Sequence, residues 1–370
     1  MDIIESTQEY EAWLGDHLPL IPKDLNTKHQ AMHTAAFPFL RATFYRWMQL
    51  WPEICPELEA APAVLSVGDL HVENLGTWRD FEGRLVWGIN DFDEAAVLPY
   101  TLDLVRLASS ALLAAQENSL TIQPGDACEA ILSGYRQALE EGGLPFVLAE
   151  SHPHLRQVAL SELRDPTGFW HKMELLPPVK DIPPEAEAIL RESMPKPAAD
   201  WVTVHRTAGL GSLGRQRYTA MVTVQGGKAA REVKRLLVSA CLWAKREDQA
   251  GSILYQEIID RAVRNPDPFT HVQGDWIVRR IAPDCSRIEL ADLPHTRDET
   301  RLLTAMGFET ANIHLGSGPA AVSLILADLK GRHQDWLLKS SQDMVKVTLK
   351  DWEVWKSRTD SPLRGAKSSR

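Results

Sequence analysis

The hydrophobic periodicity of the chain changes twice, and no other sequence feature constrains the fold as strongly. Apolar residues recur at helical spacing in much of residues 1–176, as at Leu40 and Phe44. From Trp201 apolar and polar residues alternate, which is typical of strands, and helical spacing returns from about residue 298. We therefore predict an α+β fold in which a β-rich part separates two helical parts.

A proline-rich segment marks the first of these changes. Six of the 23 prolines lie in residues 177–200, which predicts an extended connection. The polar residues at the carboxyl end predict a disordered tail. The predicted units are a helical part, the connection, the β-rich part, the returning helices and the tail, with the boundaries 1–176, 177–200, 201–293, 294–357 and 358–370.

Two polar loops follow short apolar runs, 63–67 and 85–89, which we predict to be strands separated by a loop carrying Gly76. The polar loops are Gly68-Asp69-Leu70-His71-Val72-Glu73-Asn74 and Asn90-Asp91-Phe92-Asp93-Glu94. If the two strands are neighbours, the loops converge, and their carboxylate and amide oxygens need a cation such as Mg²⁺. In the alternative interpretation the acids only cap helices.

The spacing from Asp69 to Asn74, D-x-x-x-x-N, is that of the kinase catalytic loop. There the acid accepts the proton of the substrate hydroxyl and the asparagine binds metal. Asp91 stands where the metal-binding acid of D-F-G would stand. We therefore predict Asp69 as a catalytic residue, Asn74 and Asp91 as Mg²⁺ ligands, and Asp93 as a further ligand or support.

The first loop resembles the H-G-D-x-H-x-x-N loop of aminoglycoside and choline phosphotransferases, with Val67 in place of the leading histidine. Residues 101–108 resemble the D-L-A helix of the same families, in which the acid holds the catalytic loop. The resemblance gives Asp103 this structural role. We expect His71 to brace the loop by hydrogen bonding rather than to bind metal.

A glycine-rich loop and a lysine, which kinases also need, occur later in the chain. A strand pattern follows the loop, whereas a dinucleotide-binding fold requires a helix there. A glycine loop between two strands is the kinase arrangement, in which backbone N–H groups cover the nucleotide phosphates. We therefore predict nucleotide binding by Gly209, Gly211, Ser212, Gly214 and Lys234, with Lys234 also acting in catalysis.

The role of Lys234 leaves two points open. Its E-V-K context is similar to the V-A-I-K strand of kinases, but a plain glycine hairpin with a surface lysine fits the same residues. An acid such as Glu257, in the helix predicted at 251–264, is a candidate partner for Lys234. The alternative is that Glu257 lies on the helix surface in solvent.

The predicted parts occur in a rotated order. The glycine loop, the lysine strand and a strand beginning at Trp276 follow the catalytic loop in the chain. Residues 306–315 resemble the helix that precedes that loop in the phosphotransferases. We therefore predict a bilobal protein-kinase-like fold that is circularly permuted, with C-lobe helices first, the β-rich N-lobe second and helices returning to the C-lobe.

Five segments of the chain resemble the bacterial domain-of-unknown-function 2252 family, which is grouped with the protein-kinase-like superfamily. They are residues 37–41, 68–74, 90–94, 209–214 and 278–280. The resemblance implies a kinase-like fold and a nucleotide site, and it implies no substrate.

These features predict an ATP–Mg²⁺-dependent phosphotransferase whose acceptor, a small molecule or a protein, the sequence does not define. Transfer of AMP from a reversed nucleotide would use the same groups. A pseudokinase that only binds nucleotide is a second alternative. A two-metal phosphoesterase that starts from Asp69 and His71 is a third, but the further histidine loops of that chemistry are missing from the sequence.

Composition limits the classes of partner and the cellular compartment that we expect for the protein. The formal net charge of −10 disfavours general nucleic-acid binding, which depends on Lys and Arg neutralising phosphates. The longest apolar run is far too short to span a bilayer, and the acidic amino terminus lacks the features of a signal peptide. The four cysteines are widely spaced, which predicts free thiols. We therefore expect a cytoplasmic protein with no membrane or nucleic-acid partner.

Overall fold

The computed structural model describes residues 1–148, 152, 153, 155, 156, 165–196, 200–246, 251–285 and 298–357. The fold of these residues is α+β, as predicted. The tail predicted at 358–370 lies outside the described residues. Among the helices that the structure describes, none combines the length and the apolar character that crossing a bilayer requires.

Helices dominate both ends of the chain, and most of the strand residues lie between them. The helices are α1 (Ile3–His17), α2 (Pro22–Thr34), α3 (Ala36–Ala42), α4 (Phe44–Ile54), α5 (Tyr100–Gln116), α6 (Pro124–Glu141), α7 (Pro166–Glu174), α8 (Pro184–Ser193), α9 (Ala240–Lys245), α10 (Tyr255–Arg261), α11 (Glu299–His314), α12 (Pro319–Gly331) and α13 (Trp336–Lys356). The strands are β1 (Ala63–Ser66), β2 (Leu75–Arg79), β3 (Leu85–Ile89), β4 (Ala96–Pro99), β5 (Phe146–Val147), β6 (Val202–Val204), β7 (Arg217–Val224), β8 (Gly227–Arg235), β9 (His271–Gln273) and β10 (Trp276–Ile281).

Helix α5 lies at the centre of the helical part. Its residues from Tyr100 to Ala114 are all buried, because α6, α11 and α13 pack around it. Two ionisable residues of this helix, Asp103 and Arg106, are fully buried. A buried charge is costly unless it is paired and hydrogen-bonded. Both of these residues find their partners in the first polar loop.

The small sheets of the helical part differ from the prediction in one strand. Residues Leu75–Arg79, which fall in the loop predicted to carry Gly76 and Gly83, form β2 and pair with β3. Gly76 stands opposite Gly88 in this pair, so glycine weakens the strand pattern of both segments. β1 pairs instead with β4, so the two predicted strands β1 and β3 lie in separate sheets and are not neighbours.

The β-rich part is an antiparallel sheet with the strand order β6-β7-β8-β10-β9. The glycine loop joins β6 to β7, and the turn into β8 has positive φ at Gln225 and Gly226, as a two-residue type I′ hairpin requires. Lys234 on β8 stands opposite Arg217 on β7 and Ile277 on β10. The strand that carries the lysine is therefore central in the sheet.

Two further segments correct the prediction. The extended conformation expected for 177–200 is interrupted by α8, which begins at Pro184 because proline is tolerated in the first turn of a helix. Ile189 and Leu190 of α8 pack against the sheet. The helix expected at 251–264 is shorter, and α10 covers Tyr255–Arg261.

Candidate functional site

A cleft of about 450 Å³ lies between the five-stranded sheet and the two polar loops. It brings together most of the site residues predicted from the sequence. The predicted residues that line it are Asp69, Asn74, Asp91, Asp93, Gly209, Gly211 and Ser212. Lys234 reaches the cleft through its contacts with the second polar loop. Gly214 lies elsewhere, beside α2, where a Cβ would come within 2.5 Å of the Leu25 side chain.

Asp103 on α5 holds the start of the first polar loop. Its two carboxylate oxygens accept hydrogen bonds from the N–H groups of Val67 (2.8 Å) and Gly68 (2.9 Å). Nε2 of His314 lies 3.0 Å from the same carboxylate, and the hydroxyl of Tyr135 lies 2.7 Å from Nδ1 of that histidine. Asp103 therefore has the structural role that the family resemblance implies.

Gly68 sets the close approach of the two loops. Its φ is 80°, and a Cβ at this position would lie 2.3 Å from the carbonyl oxygen of Glu94. Only glycine adopts this conformation readily and leaves room for the second loop. His71 braces the same loop, as predicted, because its Nδ1 accepts a hydrogen bond of 3.2 Å from the N–H of Glu73.

Asp69 is held by a buried arginine that sequence reasoning missed. The Nε of Arg106 donates to Oδ1 of Asp69 at 2.9 Å, and Nη2 donates to the same oxygen. Arg106 is fully buried between the rings of Phe44 and Trp47, at 5.0 and 4.9 Å from their centroids. Burial raises the pKa of Asp69 above its ordinary value, and Arg106 opposes this rise. The carboxylate is therefore fixed through Oδ1.

The other oxygen of Asp69 faces the glycine loop. A Cβ on Gly211 would lie 3.1 Å from Oδ2 of Asp69, which is tighter than an ordinary contact. The loop is anchored there because Nζ of Lys28 donates to the carbonyl oxygen of Gly211 at 3.2 Å. Beneath it, Arg217 donates to Ser212 Oγ (3.3 Å) and pairs with the fully buried Glu232 at 2.6 Å. The glycine loop thus lies directly over the first polar loop.

Asn74 joins the two polar loops. Its Nδ2 donates to the backbone carbonyl oxygens of Asp69 (3.3 Å) and Asp91 (3.0 Å). The N–H of Asn90 donates in return to the carbonyl oxygen of Asn74 at 3.2 Å. The loops therefore converge, as predicted, although β1 and β3 belong to separate sheets.

Lys234 connects the sheet to the second polar loop. Its ammonium lies 2.5 Å from Oδ1 of Asp93 and 3.3 Å from Oδ1 of Asp91, which also pairs with Arg279 at 3.2 Å. Burial acts to raise the pKa of Asp91, but Lys234 and Arg279 together hold that pKa well below the usual range. Glu257 takes no part: it is exposed and pairs with Arg261 at 2.7 Å. The suggested Lys234–Glu257 partnership is therefore wrong, and Asp93 fills that role.

Glu94 at the end of the second loop is structural. One of its oxygens accepts a hydrogen bond from the N–H of Ala240 at 2.7 Å, in the first turn of α9, and from Ser239 Oγ at 3.1 Å. Its other oxygen pairs with Arg215 at 3.1 Å. For this one acid the alternative interpretation, that it caps a helix, is confirmed.

The acids of the cleft differ in their availability to a metal ion. The Asp91 side chain is 33% exposed, whereas Asp93 is 9% exposed and is bound to Lys234. The described residues contain no group of three or more His, Cys, Asp or Glu that could hold a metal ion. Asp91 and the amide of Asn74 offer the hard oxygens that suit Mg²⁺, which keeps several waters and needs few protein ligands. Asp91 and Asn74 are therefore the residues of this cleft whose oxygens suit a Mg²⁺ ion.

Comparison with known proteins identifies the region that contains both polar loops. Residues 20–156 match the model of DUF2252, described as an uncharacterized protein conserved in bacteria. This region is therefore similar to the DUF2252 family. The match confirms the family resemblance predicted from residues 37–41, 68–74 and 90–94, whereas the segments 209–214 and 278–280 lie outside it. The DUF2252 description names no activity. No curated protein and no solved structure gives a significant match to the chain.

Proposed function

We propose that the protein is an ATP–Mg²⁺-dependent phosphotransferase whose acceptor carries a hydroxyl group. The observation that carries this proposal is the convergence of Asp69, Asn74 and Asp91 with Lys234 and the glycine loop around one cleft. Phosphoryl transfer depends mainly on positioning and on stabilising charge, and these are the groups that supply both in kinases. The proposal includes a cytoplasmic location, which fits the free cysteines found in the described residues.

The order of the elements supports a permuted kinase-like arrangement. In protein kinases the glycine-rich loop covers the phosphates and the lysine is on the third strand. Here the glycine loop joins β6 to β7 and Lys234 is on β8, the next strand along the chain. The loops that carry Asp69 and Asp91 precede this sheet in sequence, which is the rotation that a circular permutation produces.

Asp69 orients the acceptor in this proposal. Arg106 fixes Oδ1, so Oδ2, on the side of the glycine loop, accepts the hydrogen bond of the acceptor hydroxyl. The raised pKa of Asp69 makes the carboxylate a better proton acceptor than an exposed aspartate. Asp69 thus holds the hydroxyl oxygen in line with the transferring group and receives its proton.

The nucleotide lies under the glycine loop. Gly209, Gly211 and Ser212 line the cleft, and in this proposal their backbone N–H groups and the Ser212 hydroxyl donate to phosphate oxygens. Lys234 turns from Asp91 toward the phosphates, while Asp93 keeps its position. When bound, Mg²⁺ would be held by Asp91 and Asn74 and would neutralise phosphate charge.

The product of nucleotide consumption tests this proposal. Wild-type protein is incubated with ATP and Mg²⁺ and with pools of bacterial metabolites and proteins, and the nucleotide products are separated. Phosphoryl transfer gives ADP, and Asp69→Asn lowers the rate by at least about 100-fold while ATP still binds. The control is Asp260→Asn, an exposed aspartate on α10, which leaves the rate unchanged. Release of pyrophosphate with a labelled AMP product indicates AMP transfer instead, and binding without any turnover indicates a pseudokinase.

A further inference from the structure

The end of the cleft near Trp78, away from the glycine loop, is rich in guanidinium groups. Arg264, between α10 and β9, stacks over the rings of Trp78 (4.7 Å) and Phe92 (5.1 Å). Its Nε and Nη1 are buried and make no hydrogen bond with the residues that the structure describes. Arg264 lines the cleft. A guanidinium stacked on two rings therefore lines the cleft, and two of its three nitrogens lack a hydrogen-bond partner among the described residues.

Two arginines of β10 extend this group. Arg279 donates to the hydroxyl of Tyr255 (2.6 Å) and to Asp91 (3.2 Å), and Arg280 lies 3.3 Å from Asp267. In both, Nε is buried and lacks a hydrogen-bond partner among the described residues. Both arginines line the cleft.

The acids nearby do not balance these cations. Asp267 is already paired with Arg280, and Asp91 with Lys234 and Arg279. Burial raises the pKa of Glu309, the buried acid whose charge acts most strongly on Arg264, to about 7, so this carboxyl is only partly charged at neutral pH. Buried donors are nearly always satisfied in native proteins, and an unpaired one is costly. An anionic ligand would satisfy these donors.

We propose that Arg264, Arg279 and Arg280 form a second anion subsite, which binds a phosphate group. Arginine forks match the oxygens of phosphate with several N–H donors at once, and stacking on aromatic rings fixes the fork in place. The phosphate belongs either to the nucleotide or to the acceptor. In the first case the phosphate chain of the nucleotide extends beyond Asp91. The choice between these two sources rests on the proposed function, but the phosphate site itself does not.

Calorimetric titration with inorganic phosphate, without nucleotide or metal, tests the site. The variant is Arg264→Met, and the matched control is Arg261→Met, three residues away on the surface, where Arg261 pairs with Glu257. We expect the affinity of Arg264→Met for phosphate to fall at least about tenfold, and that of the control to remain at the wild-type value. The melting temperature of Arg264→Met should not fall, because the substitution removes no hydrogen bond between described residues. This separates lost binding from lost folding.

Repeating the titration with ATP–Mg²⁺ identifies the source of the phosphate. If the subsite holds the nucleotide, Arg264→Met weakens ATP binding at least about tenfold and inorganic phosphate competes with ATP. If it holds the acceptor, ATP binds the variant as it binds the wild type, and phosphate binds alongside ATP. Phosphate binding that depends on Arg264, without any ATP binding, supports the subsite and contradicts the proposed function. Equal phosphate affinity of wild type and Arg264→Met, or no binding by either, overturns the subsite.

Discussion

The two ends of the cleft carry similar cations but satisfy them differently. Near the glycine loop, Arg106 is paired with Asp69 and Lys234 with Asp93. Near Trp78, Nε and Nη1 of Arg264 are buried without a hydrogen-bond partner among the described residues. Folding therefore gives Arg106 and Lys234 their acid partners at the first end, although Nη1 of Arg106 has no hydrogen-bond partner among the described residues. At the second end no described acid forms an ion pair with Arg264, and we propose that a ligand takes that place. In this proposal, the residues of the first end position the site and those of the second end bind a ligand.

The largest effect is expected from substitutions that remove one partner of the Arg106–Asp69 pair. Arg106→Met leaves the Asp69 carboxylate buried without its cation, and Asp69→Asn leaves the Arg106 guanidinium without its acid. Removing one partner of a buried pair costs about 3 kcal/mol or more. Because each variant strands a charge, the double variant should be more stable than the sum of the two losses implies. Urea unfolding of the single and double variants measures this.

A surface pair provides the control for that experiment. Arg191 and Glu187 form an exposed pair at 2.9 Å on α8, and Arg191→Met should cost less than about 1 kcal/mol. The contrast fails if Arg106→Met costs no more than Arg191→Met.

The contribution of Glu309 to the pH dependence of stability tests why Arg264 has no fully charged acid beside it. Burial raises the pKa of Glu309 from 4.5 to about 7, so between these values the folded protein holds a proton that the unfolded chain releases. Stability therefore falls as pH rises from about 4.5 to about 7, by about 3 kcal/mol for this group. Relative to Glu309→Gln, the wild type should lose this much over that range and no more above it. A difference that does not change with pH contradicts the assignment.

A smaller effect of opposite sign is expected at the unpaired end. Arg264→Met removes a guanidinium whose buried Nε and Nη1 have no hydrogen-bond partner among the described residues, and should raise the free energy of unfolding by about 1 kcal/mol in the absence of ligand. Wild type and variant are compared by urea unfolding, with Arg261→Met as the neutral surface control. If Arg264→Met is destabilising, Arg264 has a structural role and the two ends do not differ as described.

Local patterns in the sequence predict the components of the site better than their partners. The strands β1 and β3, both polar loops and a glycine loop before Lys234 follow from periodicity and short motifs. The pairing of Arg106 with Asp69 and of Lys234 with Asp93 does not, since these contacts join residues far apart in the chain. The hydrophobic periodicity around a residue does not show which charged side chain that residue will contact after folding.

Two other differences have local physical causes. Strand β2 is hidden because Gly76 interrupts its β-type residues, although pairing with β3 and burial stabilise the strand. Helix α8 is hidden among prolines, although Pro184 stands at a helix start where proline is favourable. Arg264 belongs to an irregular segment, for which sequence patterns make no statement.

The central claim is that the paired end binds a metal–nucleotide complex, and calorimetry tests it directly. ATP is titrated into wild type, Asp91→Asn and the surface control Asp260→Asn, each with and without Mg²⁺. We predict that wild type and control bind ATP more tightly with Mg²⁺, and that Asp91→Asn loses at least about tenfold in affinity and most of its response to the metal. No ATP binding by the wild type, or binding that Asp91→Asn leaves unchanged, would contradict the claim.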